Sequence, residues 1–392
     1  MKISKRLGSV KPSSTLAVTA KVLELRAAGR EVIGFAAGEP DFDTWPHVCQ
    51  AAIDAIARGD FRYTAVGGTP ELKDAIRLKL ERDNGLSYEA SAVMASCGGK
   101  QALYNAMQSL LDDGDEVVIP GPYWVSYADL VVLAGGVPKV VMASEENGFK
   151  LTAAELDAAI GPRTKLVIVN SPSNPTGATY SEAELVELAG VLARKDCCVL
   201  TDDVYEFIRY DGDRPRHLLQ IDPDLRERTL VVNSVSKTYA MTGWRIGYAA
   251  GPPALIKAMA TIQGQSTSNP TAIAQAAAAA ALSGPQDELG PMVVEFRKRR
   301  DFVCERLNAI DGLSTTLPGG AFYVFVNVDG ALARAGARDG DELALRLLDG
   351  AGVGLVGGND FGSTRHVRIS YATSMELLER GLDSIEGWLA GL

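Results

Sequence analysis

Between residues 116 and 250 the chain repeats one pattern: a short, almost wholly apolar run, then an amphipathic stretch long enough for a helix. The apolar runs are Glu116–Ile119, Lys165–Val169, Cys198–Thr201, Thr229–Asn233 and Ile246–Ala250. A strand that is apolar throughout must be buried on both faces, and strands alternating with helices pair in parallel. The pattern therefore predicts an α/β fold with a mostly parallel sheet covered on both sides. The separators carry helix signals. Ser181 and Glu184 have the spacing of a capping box, and Ala272–Leu282 contains six consecutive alanines, which favour a close-packed helix. Ser283-Gly284-Pro285 stops it.

After Pro291 the pattern changes. A charged helix over 295–307 leads to the run Ala321–Val326, a further helix, a short strand near Val353, the run His366–Ser370 and a last helix over 374–389. This reads as a smaller α+β domain. A helix from about Ser14 to Ala28 is expected to pack on it. The division predicted is an arm over 1–44, a large domain over 45–288 and a small domain over 289–392.

Composition excludes several classes. The net charge is −10 and no long block of like charge appears, which argues against a nucleic-acid partner. Five Cys, without a CxxC, and only three His make a metal site unexpected and suit a reducing compartment. The basic start meets Pro12 and Ser13 before any apolar stretch, so no leader is expected. No uncharged apolar run of about 18 residues suggests a membrane span. A cytoplasmic protein is the expectation.

Four polar groups of residues fall where the predicted strands end. Ligands of open α/β sheets bind beyond the carboxyl ends of strands. Asn233-Ser-Val-Ser-Lys237 offers a lysine able to form a Schiff base. Its two serines, with Arg245, could hold a phosphate. Thr201-Asp202-Asp-Val-Tyr205 offers an acid for a ring nitrogen, although an Asp after a strand often only caps a helix. Asn170-Ser-Pro-Ser-Asn174-Pro-Thr-Gly177 is a stiff loop that can aim an amide. Ser96-Cys-Gly-Gly99-Lys100-Gln opens a helix whose N–H groups suit an anion. A lysine nucleophile, a phosphate cradle, an acid and a set of donors are together what pyridoxal 5′-phosphate (PLP) requires.

With these motifs the chain resembles the class I aminotransferases of PLP fold type I, and most closely their bacterial aspartate aminotransferase subgroup. The resemblance runs from Ala37-Gly-Glu-Pro-Asp-Phe42 and Arg62-Tyr-Thr64, through Gly98-Gly-Lys-Gln-Ala102, Pro122-Tyr-Trp-Val-Ser-Tyr127 and Asn174-Pro-Thr-Gly177, to Ser236-Lys237, Thr242-Gly-Trp-Arg-Ile-Gly247 and His366-Val-Arg-Ile-Ser-Tyr371. It implies a large PLP-binding domain with a mostly parallel mixed sheet and a small α+β domain. It implies Lys237 as the Schiff-base lysine and proton carrier, and Asp202 as partner of the ring nitrogen. Asn174 and Tyr205 would be donors to the ring hydroxyl, and Trp124 would stack on the ring. Gly99, Lys100, Ser234, Ser236 and Arg245 would lie on the phosphate side. Tyr63 resembles a residue that reaches the neighbouring subunit's phosphate, which implies a homodimer. Arg368 and Gly38 match the positions that bind the substrate α-carboxylate.

For the side-chain pocket, the stretch 261–271 contains no Arg or Lys. Lys100 and Thr15 match the positions implicated with dicarboxylates in the bacterial subgroup. The expected reaction is ping-pong transamination of aspartate with 2-oxoglutarate, and prephenate is a further candidate acceptor. Val356–Phe361 departs from the usual family pattern beside the substrate, which would alter selectivity. The alternatives are a different side-chain preference, aromatic or alanine, and a PLP-dependent lyase on the same fold. Gly352-Val-Gly-Leu-Val-Gly357 fits GxGxxG, but it follows a helix and contains the strand, so it lacks the context of a dinucleotide site.

Overall fold

The computed structural model describes residues 3–10, 12, 14–212 and 214–392. Positions 1, 2, 11 and 13 of the predicted arm lie outside the described residues, and with them part of the leader reading. Seven strands form one sheet in the spatial order Val93–Ser96, Gly247–Ala250, Thr229–Ser234, Cys198–Asp202, Thr164–Asn170, Glu116–Gly121, Val137–Met142. Gly247–Ala250 runs antiparallel to both neighbours, and the other pairings are parallel. Three parallel strands in the middle end close together: Asn170 is opposite Asp202, and Asp202 is opposite Val232, two residues before its strand ends at Ser234. Their polar ends therefore share one rim.

The apolar runs are strands because both faces are covered. On one face the alanine-rich helix Ala272–Ser283 packs against Pro46–Arg58 and Pro70–Asn84. Ala277, Ala278 and Ala281 are fully buried there, so the small side chains serve close approach. The other face is covered by Gly99–Leu110, Ser126–Leu133 and Pro253–Gly264. Two strands do not stand out in the sequence. Val93–Ser96 is short. Val137–Met142 is a partly exposed edge carrying Pro138 and Lys139, residues that keep an edge from pairing further.

The C-terminal part has its own core around a three-stranded antiparallel sheet, in the order Val356–Gly357, His366–Ser370, Tyr323–Asn327. The helices Leu289–Ala309, Gly340–Gly350 and Met375–Ala390 cover it. The first helix, Ser14–Ala27, leads to Ile33–Gly34, which pairs in parallel with Val353–Gly354. The Phe35 amide then donates to Gly354 and the Ser370 amide donates to the Phe35 carbonyl. This pairing carries Ala36 and Gly38 to the sheet rim. No helix among the described residues is long and apolar enough to cross a membrane.

Candidate active site

A cleft of about 360 Å³ opens where the large sheet's rim meets the arm and the small sheet. It is lined by every predicted site residue except Tyr63: Thr15, Gly38, Gly99, Lys100, Trp124, Asn174, Asp202, Tyr205, Ser234, Ser236, Lys237, Arg245 and Arg368. Tyr63 is 91% exposed and takes no part in the cleft of its own chain. Four cations, Lys100, Lys237, Arg245 and Arg368, line the wall of a protein with a net charge of −10. Such a local excess draws in anions.

Lys237 lies in the turn after Thr229–Ser234, and its ammonium donates to the Gly38 carbonyl. Burial, with Arg245 and Arg368 nearby, pulls its pKa down to about 8, against an upward pull from Glu39. Roughly a tenth of the amine is therefore neutral and nucleophilic at pH 7, far more than for an exposed lysine. Asp202 ends its own strand, and no helix starts after it, so it is not a helix cap. Burial raises its carboxyl to about 6, while a hydrogen bond from Tyr127 at 2.6 Å opposes the rise.

Arg368, on the central strand of the small sheet, is 1% exposed. Its Nη1 donates to Asn174 Oδ1 at 2.9 Å and its Nη2 to the Ala36 carbonyl at 2.8 Å, but its buried Nε has no partner. The bond to Oδ1 leaves the Asn174 amide nitrogen free to donate. The Tyr205 and Tyr323 hydroxyls lie 2.8 Å apart, and the Arg368 guanidinium lies 4.4 Å from the Tyr323 ring.

The anion side is built from close backbone contacts. Gly98, at φ +87°, precedes the helix Gly99–Leu110, and a Cβ there would lie 2.4 Å from Arg245 Nη2. Only glycine admits both the left-handed turn and the guanidinium. Arg245 itself is at φ +58°, a strained conformation for a residue with a side chain. Ser234, in turn, accepts from the Ser236 amide at 3.2 Å. Lys100 sits in the first helical turn with its ammonium 4.8 Å from the Trp124 ring. It makes no salt bridge among the described residues; burial and Arg245 lower its pKa, against an upward pull from Asp129.

A phosphorylated pyridine aldehyde fits this donor set. The Gly98–Gly99 turn, Arg245 and the two serines offer an anion cradle, Asp202 an acceptor and Lys237 an amine. The orphaned Arg368 Nε marks a place for a carboxylate. Sequence reasoning gave no role to Tyr127, Asn170, Asn233 or Tyr323, which also line the cleft. Tyr323 sits in an apolar strand and reads as core. Tyr127 stands in a quoted motif, but nothing in the sequence links it to position 202. The departing segment Val356–Phe361 does not line the cleft. It reaches the site through Val356, which pairs with Arg368 in the small sheet, and through the Phe361 ring, 5.1 Å from the Arg368 guanidinium.

A family model described as aminotransferase class I and II matches residues 30–385. The chain belongs to that family and is a PLP-dependent aminotransferase of the bacterial aspartate aminotransferase type. It is 52% identical to the aspartate/prephenate aminotransferase of Cereibacter sphaeroides, over 100% of this chain and 99% of the relative. It is 49% identical to the aspartate aminotransferase of Geobacillus stearothermophilus, over 99% of both. The crystal structure of the Rhizobium meliloti aspartate aminotransferase superposes with a TM-score of 0.95 at 48% identity, covering 100% of this chain and 99% of that one.

Proposed function

We propose that the cleft transfers the amino group of aspartate to 2-oxoglutarate, and that it also accepts prephenate. The observation that carries this reading is the pair of cationic groups lining one cleft. Arg368 is buried with an unpartnered Nε, and Lys100 feels the charge of Asp129 but forms no salt bridge among the described residues. A dicarboxylate satisfies both. The names of the relatives support the same substrates.

Bound beside Lys237, PLP supplies a carbonyl for the substrate amine and a ring that takes up the electrons of the Cα–H bond. The chain's own residues do the rest. Arg368 holds the α-carboxylate through a planar, two-pronged contact that a lysine cannot make. Gly38 presents backbone beside it, and Lys100, with Thr15, faces the distal carboxylate. The freed Lys237 amine, with its pKa near 8, carries the α-proton. Asp202 holds a proton on the ring nitrogen, while Asn174 and Tyr205 donate to the ring hydroxyl. Trp124 flanks the ring. Gly99, Ser234, Ser236 and Arg245 grip the phosphate, joined by Tyr63 of a second copy. Amino acid and 2-oxo acid use the cleft in turn, so the kinetics are ping-pong.

The division 1–44, 45–288 and 289–392 is supported by the two separate cores and by the pairing of Ile33–Gly34 with Val353–Gly354. A homodimer in the cytoplasm completes the proposal. The test is a panel of amino acids and 2-oxo acids, prephenate included, given to the PLP-loaded protein. Oxaloacetate and glutamate are expected from aspartate and 2-oxoglutarate. Release of ammonia without amino transfer would mean a lyase. Lys100→Ala should lower kcat/KM for diacids by about a hundredfold, the scale of a lost buried ion contact, and for alanine far less. Equal losses would remove Lys100 from substrate recognition.

A further inference from the structure

The fold treats the two oxygens of Asp202 differently. Oδ2 accepts the Tyr127 phenol at 2.6 Å. Oδ1 has only the Val204 amide, at a long 3.4 Å. Both side chains are buried, Tyr127 at 2% and Asp202 at 6% exposure. A short bond from a phenol to a carboxylate in such surroundings is about twice as strong as a neutral one.

Tyr127 reaches Asp202 from a distance in the sheet. It lies in the first turn of Ser126–Leu133, the helix that follows strand Glu116–Gly121. Strand Thr164–Asn170 separates that strand from the one ending at Asp202. The phenol therefore spans a whole strand end to make the bond. Its ring is fixed edge-on against Trp124, with centroids 5.3 Å apart, and packs in the core on that face of the sheet. Burial pushes the phenol's own ionisation far up, so it remains a donor.

We propose that Tyr127 is a positioning residue that pins Asp202 through Oδ2 and so presents an ionised Oδ1 to the ring nitrogen of the cofactor. The proposal rests on the reading of Asp202 as partner of that nitrogen. The groups that face Asp202 agree with it. Burial and Asp203 favour its protonated form, while Tyr127, the Val204 amide and Lys237 favour the carboxylate. Tyr205 also lies close enough to feel its charge. Asp203 accepts from Thr201 at 3.2 Å and meets His217 at 3.1 Å, both through its Oδ2, and makes no hydrogen bond to the Asp202 side chain among the described residues. Among these groups Tyr127 makes the short contact to the Asp202 side chain.

Tyr127→Phe removes the donor and keeps the ring. The decisive measurement is cofactor affinity rather than rate. Apoprotein is titrated by equilibrium dialysis with PLP and with its 1-deaza analogue, in which carbon replaces the ring nitrogen. Y127F should weaken PLP by about tenfold, the scale of one charge-assisted hydrogen bond. It should leave the analogue's affinity within about twofold, because no N–H then faces Asp202. In an Asp202→Ala background the substitution should change neither affinity.

Equal PLP affinity in wild type and Y127F would overturn the proposal. So would an equal loss for both cofactors, since that is what disturbed packing would produce. If wild type prefers PLP to the analogue but Asp202→Ala does so equally, the reading of Asp202 falls, and the proposal with it. Because the comparison is between two ligands on the same protein, a general loss of stability in the variant cancels.

Discussion

At the scale of single residues, the site keeps groups in costly states. Asp202 binds its proton more tightly in the folded chain, near pH 6, than an exposed aspartate does. The folded state therefore holds more protons than the unfolded one between about pH 4 and 6. Stability that is full below this window is lost as the pH rises through it. A shift of this size corresponds to roughly 3 kcal/mol. Asp202→Asn in the cofactor-free protein should accordingly raise stability at pH 8 by up to that amount in urea unfolding, with the gain fading towards pH 4. The same variant should bind PLP poorly. A destabilised variant at pH 8 would show that the carboxylate is better compensated than its burial suggests. Arg368 is a parallel case: its buried guanidinium keeps an orphaned Nε at a cost in free energy that a bound ligand would offset.

At the scale of elements, the phosphate cradle depends on how closely two pieces of backbone approach. A Cβ at Gly247 would sit 2.2 Å from the Gly99 nitrogen and 2.3 Å from the Gly98 carbon. Neither is the end of a flexible side chain, so backbone must move. Gly247→Ala should destabilise the protein by about 1–3 kcal/mol, as overpacking does, and should weaken PLP binding by shifting the Gly98–Gly99 turn. Thermal unfolding of the apoprotein and a PLP titration separate the two effects. Unchanged cofactor affinity would mean that the turn does not hold the phosphate. The antiparallel run of Gly247–Ala250 is what brings its first residue beside the end of Val93–Ser96 and hence to the rim.

At the scale of the whole molecule, the cleft depends on contacts between distant parts of the chain. The arm is held by strand pairing to Val353–Gly354 and by Arg299, which bonds Asp41 at 2.6 Å and is only 7% exposed. This places Gly38 against Lys237 across 199 positions of sequence. Tyr63 does not line its own cleft and is exposed, as are the apolar residues Ile56 and Phe61 nearby in sequence. If a second copy covers that surface in a two-fold dimer, each site takes Lys237 from one chain and Tyr63 from the other. Chains carrying Lys237→Ala and chains carrying Tyr63→Phe should then complement one another. Refolded together, they should regain about a quarter of wild-type activity under subsaturating PLP, because half the dimers are mixed and each has one intact site. No gain over the separate variants would place Tyr63 outside the partner's site.

Much of this molecule is determined by local sequence. Apolar runs spaced by helical periods specify a covered parallel sheet. Polar residues just beyond those runs must fall on one rim, because parallel strands end on the same side. That rule is enough to gather Lys237, Asp202 and Asn174; Gly99 is marked by its glycine-rich helix start, and the resemblance adds Arg368, Trp124 and Thr15. The short or polar strands Val93–Ser96 and Val137–Met142 are less legible, since pairing rather than hydrophobicity makes them strands. Only the tertiary structure decides that Tyr127 meets Asp202, that Tyr323 meets Tyr205, and that position 247 must have no side chain. Such contacts join side chains from different strands and helices. Their partners are set by register, twist and packing, which leave no periodic trace along the chain.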